Sequence, residues 1–190
     1  MKDTLQKVLR MDARVALLLG NGINRHGNIR QDSSWELLLS NLAKKRGLQL
    51  DAKQAAEMSN TEFFDILDLA KPRDDKTSLQ REFCDLMEDW SPESHHRAIV
   101  GWAQKKSSPI ITVNFDENLS RSIGANYFGP PAGFTDWYPW RSYFAKEEIE
   151  DPKTSFAIWH AHGMMRYARS IRLGLTHYMG SVQRARAIIY

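Results

Sequence analysis

The sequence predicts an α/β protein built on a parallel sheet, and three stretches carry that prediction. VALLLGNGIN (15–24), PIITVNFDENL (109–119) and FAIWHAHG (156–163) are short apolar runs that each stop at Gly, Asn or His. An apolar run of four to eight residues reads as a strand buried on both faces, the habit of parallel sheets. Open α/β sheets bind ligands where such strands end, because loops turn into helices there and backbone N–H groups face outward. A Gly-rich turn, an Asn-x-Asp and a His-Gly at three strand ends therefore predict a nucleotide-type active site.

Composition bounds the rest. With 190 residues and 42% hydrophobic content, the chain can bury one sizeable core, so a single domain over 1–190 is expected. Lys+Arg 26 against Asp+Glu 23 is too even for a nucleic-acid footprint on charge alone. One cysteine, Cys84, excludes an internal disulfide and a four-cysteine zinc site, and fits a reducing cytoplasm. MKDTLQKVLRMDAR lacks an apolar core of signal-peptide length, and no stretch approaches 18 apolar residues. A soluble, cytoplasmic protein with no membrane partner is the expectation.

Taken in order, residues 1–14 read as an amphipathic lead-in with Leu5, Val8 and Leu9 at helical spacing, and Arg14–Gly20 as the first strand. After the loop 21–32, Ser33 and Glu36 have capping-box spacing for a helix whose apolar face is Trp35, Leu38, Leu39 and Leu42, ended by Gly47. From about 48 to 106 the pattern stays helical, which predicts a helical lobe inserted between the first two core strands. Its faces are Phe63, Ile66, Leu67 and Ala70, stopped by Pro72; then Leu79, Phe83, Leu86, Met87 and Trp90; then Ile99 and Trp102 on a helix opened by Ser91 and Pro92. Ile110–Phe115 is the second strand, followed by a short helix 117–123 that Asp116 can cap and Gly124 can stop. Residues 124–152 read as an irregular, aromatic-rich loop of the kind that covers a site. Ser155–His160 is the third strand, Ile171–Thr176 a fourth, and SVQRARAIIY a basic helical tail.

The motifs differ in specificity. Gly20-Asn21-Gly22 leaves a strand, the context a phosphate-cradling loop needs, and glycine allows positive φ and close backbone approach. Arg25 stands where a dinucleotide fingerprint has its third glycine, and Asn28-Ile29 replaces the Lys-Ser/Thr of a triphosphatase loop. A tight turn without a ligand is the competing reading. Asn114 and Asp116 share one face of a strand, as do His160 and His162. Asp116 has a bland role as a helix cap, whereas Asn114 lies in a β-branched apolar strand and needs a partner. His162, followed by glycine at the strand mouth, stands where a general base would. His160 reads as a hydrogen-bonded core residue, and His95 and His96 as packed or surface residues. Too few ligand candidates accompany the histidines for a metal site.

In order, Gly20-Asn21-Gly22-Ile23-Asn24, Thr112-Val113-Asn114-Phe115-Asp116 and His162-Gly163 resemble the sirtuin-like family, especially its bacterial branch of NAD-hydrolysing anti-phage defence proteins. SWELLL (34–39) and IRLGLTHYMGSV (171–182) agree with that branch. The resemblance covers about residues 14–182 and implies a Rossmann-like, doubly wound parallel sheet that binds NAD. It implies that Gly20, Asn21, Gly22, Ile23, Asn24, Asp116 and Gly163 line the dinucleotide site. Asn114 would orient the nicotinamide ribose or a water, and His162 would be the base. The implied reaction is cleavage of the nicotinamide–ribose bond, with NAD as substrate or ligand and no metal. The chain departs from the family in three respects: one cysteine cannot build a deacylase zinc module, HGNIRQDSSW replaces the stretch Ile-Pro-Asp-Phe-Arg (with Asp32 as a stand-in for its acid), and the C-terminus is short. The resemblance also implies an oligomer. A non-catalytic NAD or ADP-ribose binding module is the first alternative. An interaction protein using Trp90, Trp102, Trp137 and Trp140 is the second, and nucleic-acid binding through Arg166, Arg169, Arg172, Arg184 and Arg186 the least favoured.

Overall fold

Three parallel strands stand side by side: β1 (Leu17–Leu19), β2 (Ile110–Thr112) and β4 (Ile158–His160), with the two-residue β3 (Tyr143–Phe144) antiparallel on the far edge of β4. The computed structural model describes residues 15–28, 33–48, 57–70, 78–124, 143–144, 156–175 and 177–178. The lead-in 1–14, Asp32, Pro72, Trp137, Trp140, Thr176 and the basic tail lie outside the described residues. Among the described residues, five α-helices accompany the sheet: α1 (Trp35–Lys45), α2 (Asn60–Ala70), α3 (Leu79–Asp85), α4 (Ser94–Lys105) and α5 (Asn118–Arg121). The protein is thus a mixed α/β fold around a small parallel sheet.

The register is what matters for function. Leu19 pairs with Thr112, and Thr112 with His160, so the three parallel strands end level with one another. Beyond that row, Val113 N–H donates to the Leu19 carbonyl at 3.1 Å and Ala161 N–H to the Thr112 carbonyl at 2.9 Å. Gly20, Asn114 and His162 therefore leave the sheet at one carboxyl edge, as the three apolar runs predict.

Two apolar clusters hold this edge. Ile110 and Ile158 pack with Val100 and Ala103 of α4, Leu119 of α5 and Met164. On the opposite row Leu18 is 73% exposed. The larger cluster joins α1, α2 and α3 to Phe115, Met165, Ala168 and Ile171. Its fully buried Leu39, Leu42, Phe64 and Phe83 each contribute about 1.5–3 kcal/mol of apolar transfer free energy. Phe115 is the link: its ring lies edge-to-face on Trp35 at 5.1 Å and on Phe83 at 6.0 Å. Seating Phe115 among the helices fixes the chain just past β2, between Asn114 and Asp116.

Several local expectations need correction. Ser34, not Ser33, caps α1, its hydroxyl accepting from Leu37 N–H at 3.2 Å. Ser33 is instead buried, with its carbonyl taken by Asn21. The end of α1 is a Schellman motif: Gly47 at φ +69 lets Leu48 N–H reach the Ala43 carbonyl at 2.9 Å. On α2 the buried face is Phe63, Phe64 and Leu67, while Ala70 is exposed. Helix α4 starts at Ser94 with Glu93 as cap, and buries His96, Val100 and Ala103; Ile99 and Trp102 are only half-buried. Two residues of the expected irregular loop, Tyr143 and Phe144, form β3. Over 171–175, the described part of the expected fourth strand, no strand forms. Leu175 N–H donates to Asp65 Oδ2 at 2.9 Å and His177 Nδ1 accepts from Gly174 N–H at 3.3 Å, so this segment turns onto α2 rather than joining the sheet.

Candidate active site

The turn after β1 is a short 3-10 helix, Asn21–Ile23. Ile23, Asn24 and Arg25 N–H donate to the carbonyls of Gly20, Asn21 and Gly22 at 3.1–3.3 Å. Gly20 and Gly22 sit at negative or extended φ, so their expected left-handed freedom is not what shapes this turn. What they offer is space: a Cβ on Gly22 would meet nothing within 4 Å. Gly20, Gly22 and Ile23 form one wall of a cleft of about 320 Å³, with Leu18, Leu19 and His26 beside them and His95 and Ile99 of α4 opposite. His95 Nε2–H donates to the Ile23 carbonyl at 2.7 Å and ties that helix to the turn. Asn114, Asp116, His162 and Gly163 stand outside this wall.

Behind the turn lies a buried polar network centred on Asn24. Asn24 Nδ2 donates to Asn21 Oδ1 at 3.0 Å and to Asp116 Oδ2 at 2.7 Å. Asn24 Oδ1 accepts from Asn118 Nδ2 and His96 Nε2, both at 3.1 Å. All four hydrogen-bonding positions of the Asn24 amide are engaged, and the residue is buried. Asp116 Oδ1 accepts from Asn118 N–H at 3.0 Å and so satisfies the first amide of α5, although the N-cap residue itself is Glu117, one position later than expected. Burial pushes the Asp116 carboxyl up, and the bonds from Asn118 and Asn24 oppose that shift. Asn21, Asn24 and Asp116, all expected to touch a ligand, thus bond to one another or to the protein with their side chains. Asn118 and His96 were not expected here. The alternation 114, 116, 118 continuing past the strand would have pointed to Asn118.

Asn114 is different. It is 1% exposed, and among the described residues neither its Nδ2 nor its Oδ1 has a hydrogen-bond partner. Its backbone, by contrast, is fixed on both sides. Asn114 N–H donates to Thr112 Oγ1 at 3.1 Å, and the Asn114 carbonyl accepts from His160 Nδ1–H at 3.1 Å. That bond sets the His160 tautomer, and burial pushes the imidazole down to about 4. His160 is the neutral core histidine that its depth in the strand predicts.

His162 is half-buried at the mouth of β4, and burial holds its imidazole below the ordinary histidine value. Its Nδ1 lies 3.2 Å from the Tyr178 hydroxyl, with the two rings edge-to-face at 5.3 Å. Gly163 has φ +93, and a Cβ there would run into the Ser170 carbonyl and Ile171 N–H. Close backbone packing explains that glycine without a ligand. Nearby, Arg166 Nε donates to Glu117 Oε1 at 3.0 Å and Arg121 Nη2 lies 3.3 Å from Glu117 Oε2, so Arg166 is half of an internal ion pair rather than a free cationic face. Cys84 is buried and its thiol is pushed up to about 12, which makes it unreactive.

Among the described residues no group of three or more His, Cys, Asp or Glu side chains is placed to hold a metal ion. No described helix is long and apolar enough to cross a membrane. No family model, curated protein or solved structure matches the chain.

Proposed function

We propose that the carboxyl edge of the sheet binds NAD and hydrolyses its nicotinamide–ribose bond, on a Rossmann-like sheet of the sirtuin kind. The observation that carries the reading is the Asn114 amide, buried at a parallel-strand end with both polar atoms unpartnered among the described residues. Leaving such a group unpaired costs about 1–3 kcal/mol, so its retention argues for a partner outside the chain. A ribose hydroxyl or a water gives both a donor and an acceptor what it needs. The open Gly22 backbone offers room for a diphosphate beside the turn.

His162 fits the base. Its lowered affinity for protons keeps it neutral near pH 7, the form that accepts one. The role requires that Nδ1 carry the proton and donate to the Tyr178 oxygen, leaving the Nε2 lone pair for water. In the reaction the C–N glycosidic bond breaks with its electron pair moving to the cationic ring, which leaves as neutral nicotinamide. Water forms the new C–O bond and loses its proton to His162. Departure from a cation needs no general acid, only positioning and charge stabilisation. The test is nicotinamide release from NAD by the purified chain, with His162→Ala and Asn114→Leu alongside. Release by the wild type, lost in both variants, is the expected result. ADP-ribose or NAD binding by calorimetry without release would favour a binding module instead.

A further inference from the structure

The inserted helical lobe reaches the Gly-rich turn through two adjacent side chains of α4: His95 bonds the Ile23 carbonyl directly, and His96 acts on the turn through Asn24. Glu93 N–H donates to His96 Nδ1 at 3.0 Å, so Nδ1 carries no proton and Nε2 does. That Nε2–H is what donates to Asn24 Oδ1 at 3.1 Å. Asn24 in turn is bonded to Asn21 in the turn and to Asp116 after β2. A residue 72 positions away in sequence therefore supplies one of four bonds that fix the Asn24 amide. We propose that His96 is a positioning residue: acting through Asn24, it sets the conformation of the Gly20–Arg25 turn, so the lobe helps shape the ligand loop. The consequence for turnover rests on the NAD reading above; the consequence for the turn does not.

His96 has two roles that can be separated by chemistry. As a helix cap it accepts at Nδ1, a position that the amide oxygen of Asn reproduces. As a link to Asn24 it donates at Nε2, a position that the amide nitrogen of Gln reproduces. The experiment is hydrogen exchange of the Ile23, Asn24 and Arg25 amides, which donate within the turn, in the full chain carrying His96→Gln or His96→Asn, with thermal melting recorded beside it. The expected result is faster exchange of these three amides in His96→Asn, by about tenfold, with protection close to wild type in His96→Gln. In an NAD-release assay the same Asn variant should raise KM by about tenfold, since small misplacements of a binding loop cost that much. Protection kept in His96→Asn and lost in His96→Gln would show that His96 is a helix cap only. Equal loss in both, spread over α4 and the turn alike, or equal retention in both, would overturn the proposal as well. Exchange as expected in a chain that releases no nicotinamide would retain the positioning role and remove the NAD reading.

Discussion

Asn24 and Asn114 are both buried asparagines at the same edge of one sheet, and their bonding is opposite. Asn24 makes every hydrogen bond its amide can make; among the described residues, Asn114 makes none with its amide. Burial alone does not separate them, since both are almost wholly removed from solvent. The bonding does. A saturated buried amide stabilises the fold, and an unsaturated one at a strand end lowers stability until something binds. On the proposed reading, one residue type builds the frame of the site at Asn24 and serves its ligand at Asn114.

The largest effect that follows is at Asn24. Asn24→Ala would leave Asp116 Oδ2, Asn21 Oδ1, Asn118 Nδ2 and His96 Nε2 each short of a partner. We expect a loss of about 3–5 kcal/mol in urea unfolding, a large share of a normal domain's stability. A loss below about 1 kcal/mol would mean that the network is not the frame of the site.

Next in size is the pH dependence through His160, which donates to the Asn114 carbonyl. Its folded value of about 4 lies below its ordinary 6.5 because burial disfavours the cation. Below pH 6.5 the unfolded chain therefore binds a proton that the folded chain refuses, and stability falls as pH drops from 6.5 towards 4. The full span is about 3 kcal/mol. Asp116, pushed up by burial, contributes with the opposite sign in the acidic range. A comparison of wild type with His160→Gln isolates the histidine: the variant should show a shallower loss of melting temperature across that window.

Much of this arrangement was legible in the sequence, for definite reasons. The apolar runs marked the three parallel strands, and Gly20, Asn114 and His162 marked their ends; burial on both faces did not follow, since Leu18 of β1 is exposed and Ile111 and Trp159 are only half-buried. The partners of those residues were not legible. His96 reads as one of two adjacent histidines on a helix, and only the fold brings it to Asn24. Ser33 lost its expected cap role because the chain buries it beside Asn21, while the next serine takes the helix end. The apolar stretch 171–175 has strand-like residues, yet a bond to Asp65 on α2 decides its course. Local pattern predicts elements well where burial is uniform, and poorly where a single long-range hydrogen bond selects between turns.

Asn114→Leu sharpens the comparison from the other side. Leucine has nearly the shape of asparagine and no polar atoms to leave unpaired, so replacing an orphaned amide should be neutral or stabilising by about 1 kcal/mol. Ligand affinity should fall at the same time, and NAD binding followed by calorimetry reads that arm. A destabilisation above about 2 kcal/mol would mean that the Asn114 amide supports the fold, as Asn24 does, and the contrast between them would collapse.

The smallest expected stability change belongs to Gly22, and it tests the open side of the turn. Gly163 and Gly22 both flank the site, yet only Gly163 has a positive φ and backbone pressed against its α-carbon. At Gly22 an added methyl meets open space, so Gly22→Ala should change unfolding stability by less than about 0.5 kcal/mol. A methyl there nonetheless projects from the wall of the 320 Å³ cleft, where a ligand backbone would approach. If the turn receives a diphosphate, Gly22→Ala weakens NAD binding several-fold in a protein that melts like the wild type. Unchanged binding would place the ligand away from this wall, and the role of the Gly-rich turn would reduce to carrying Asn21 and Asn24 into the network behind it.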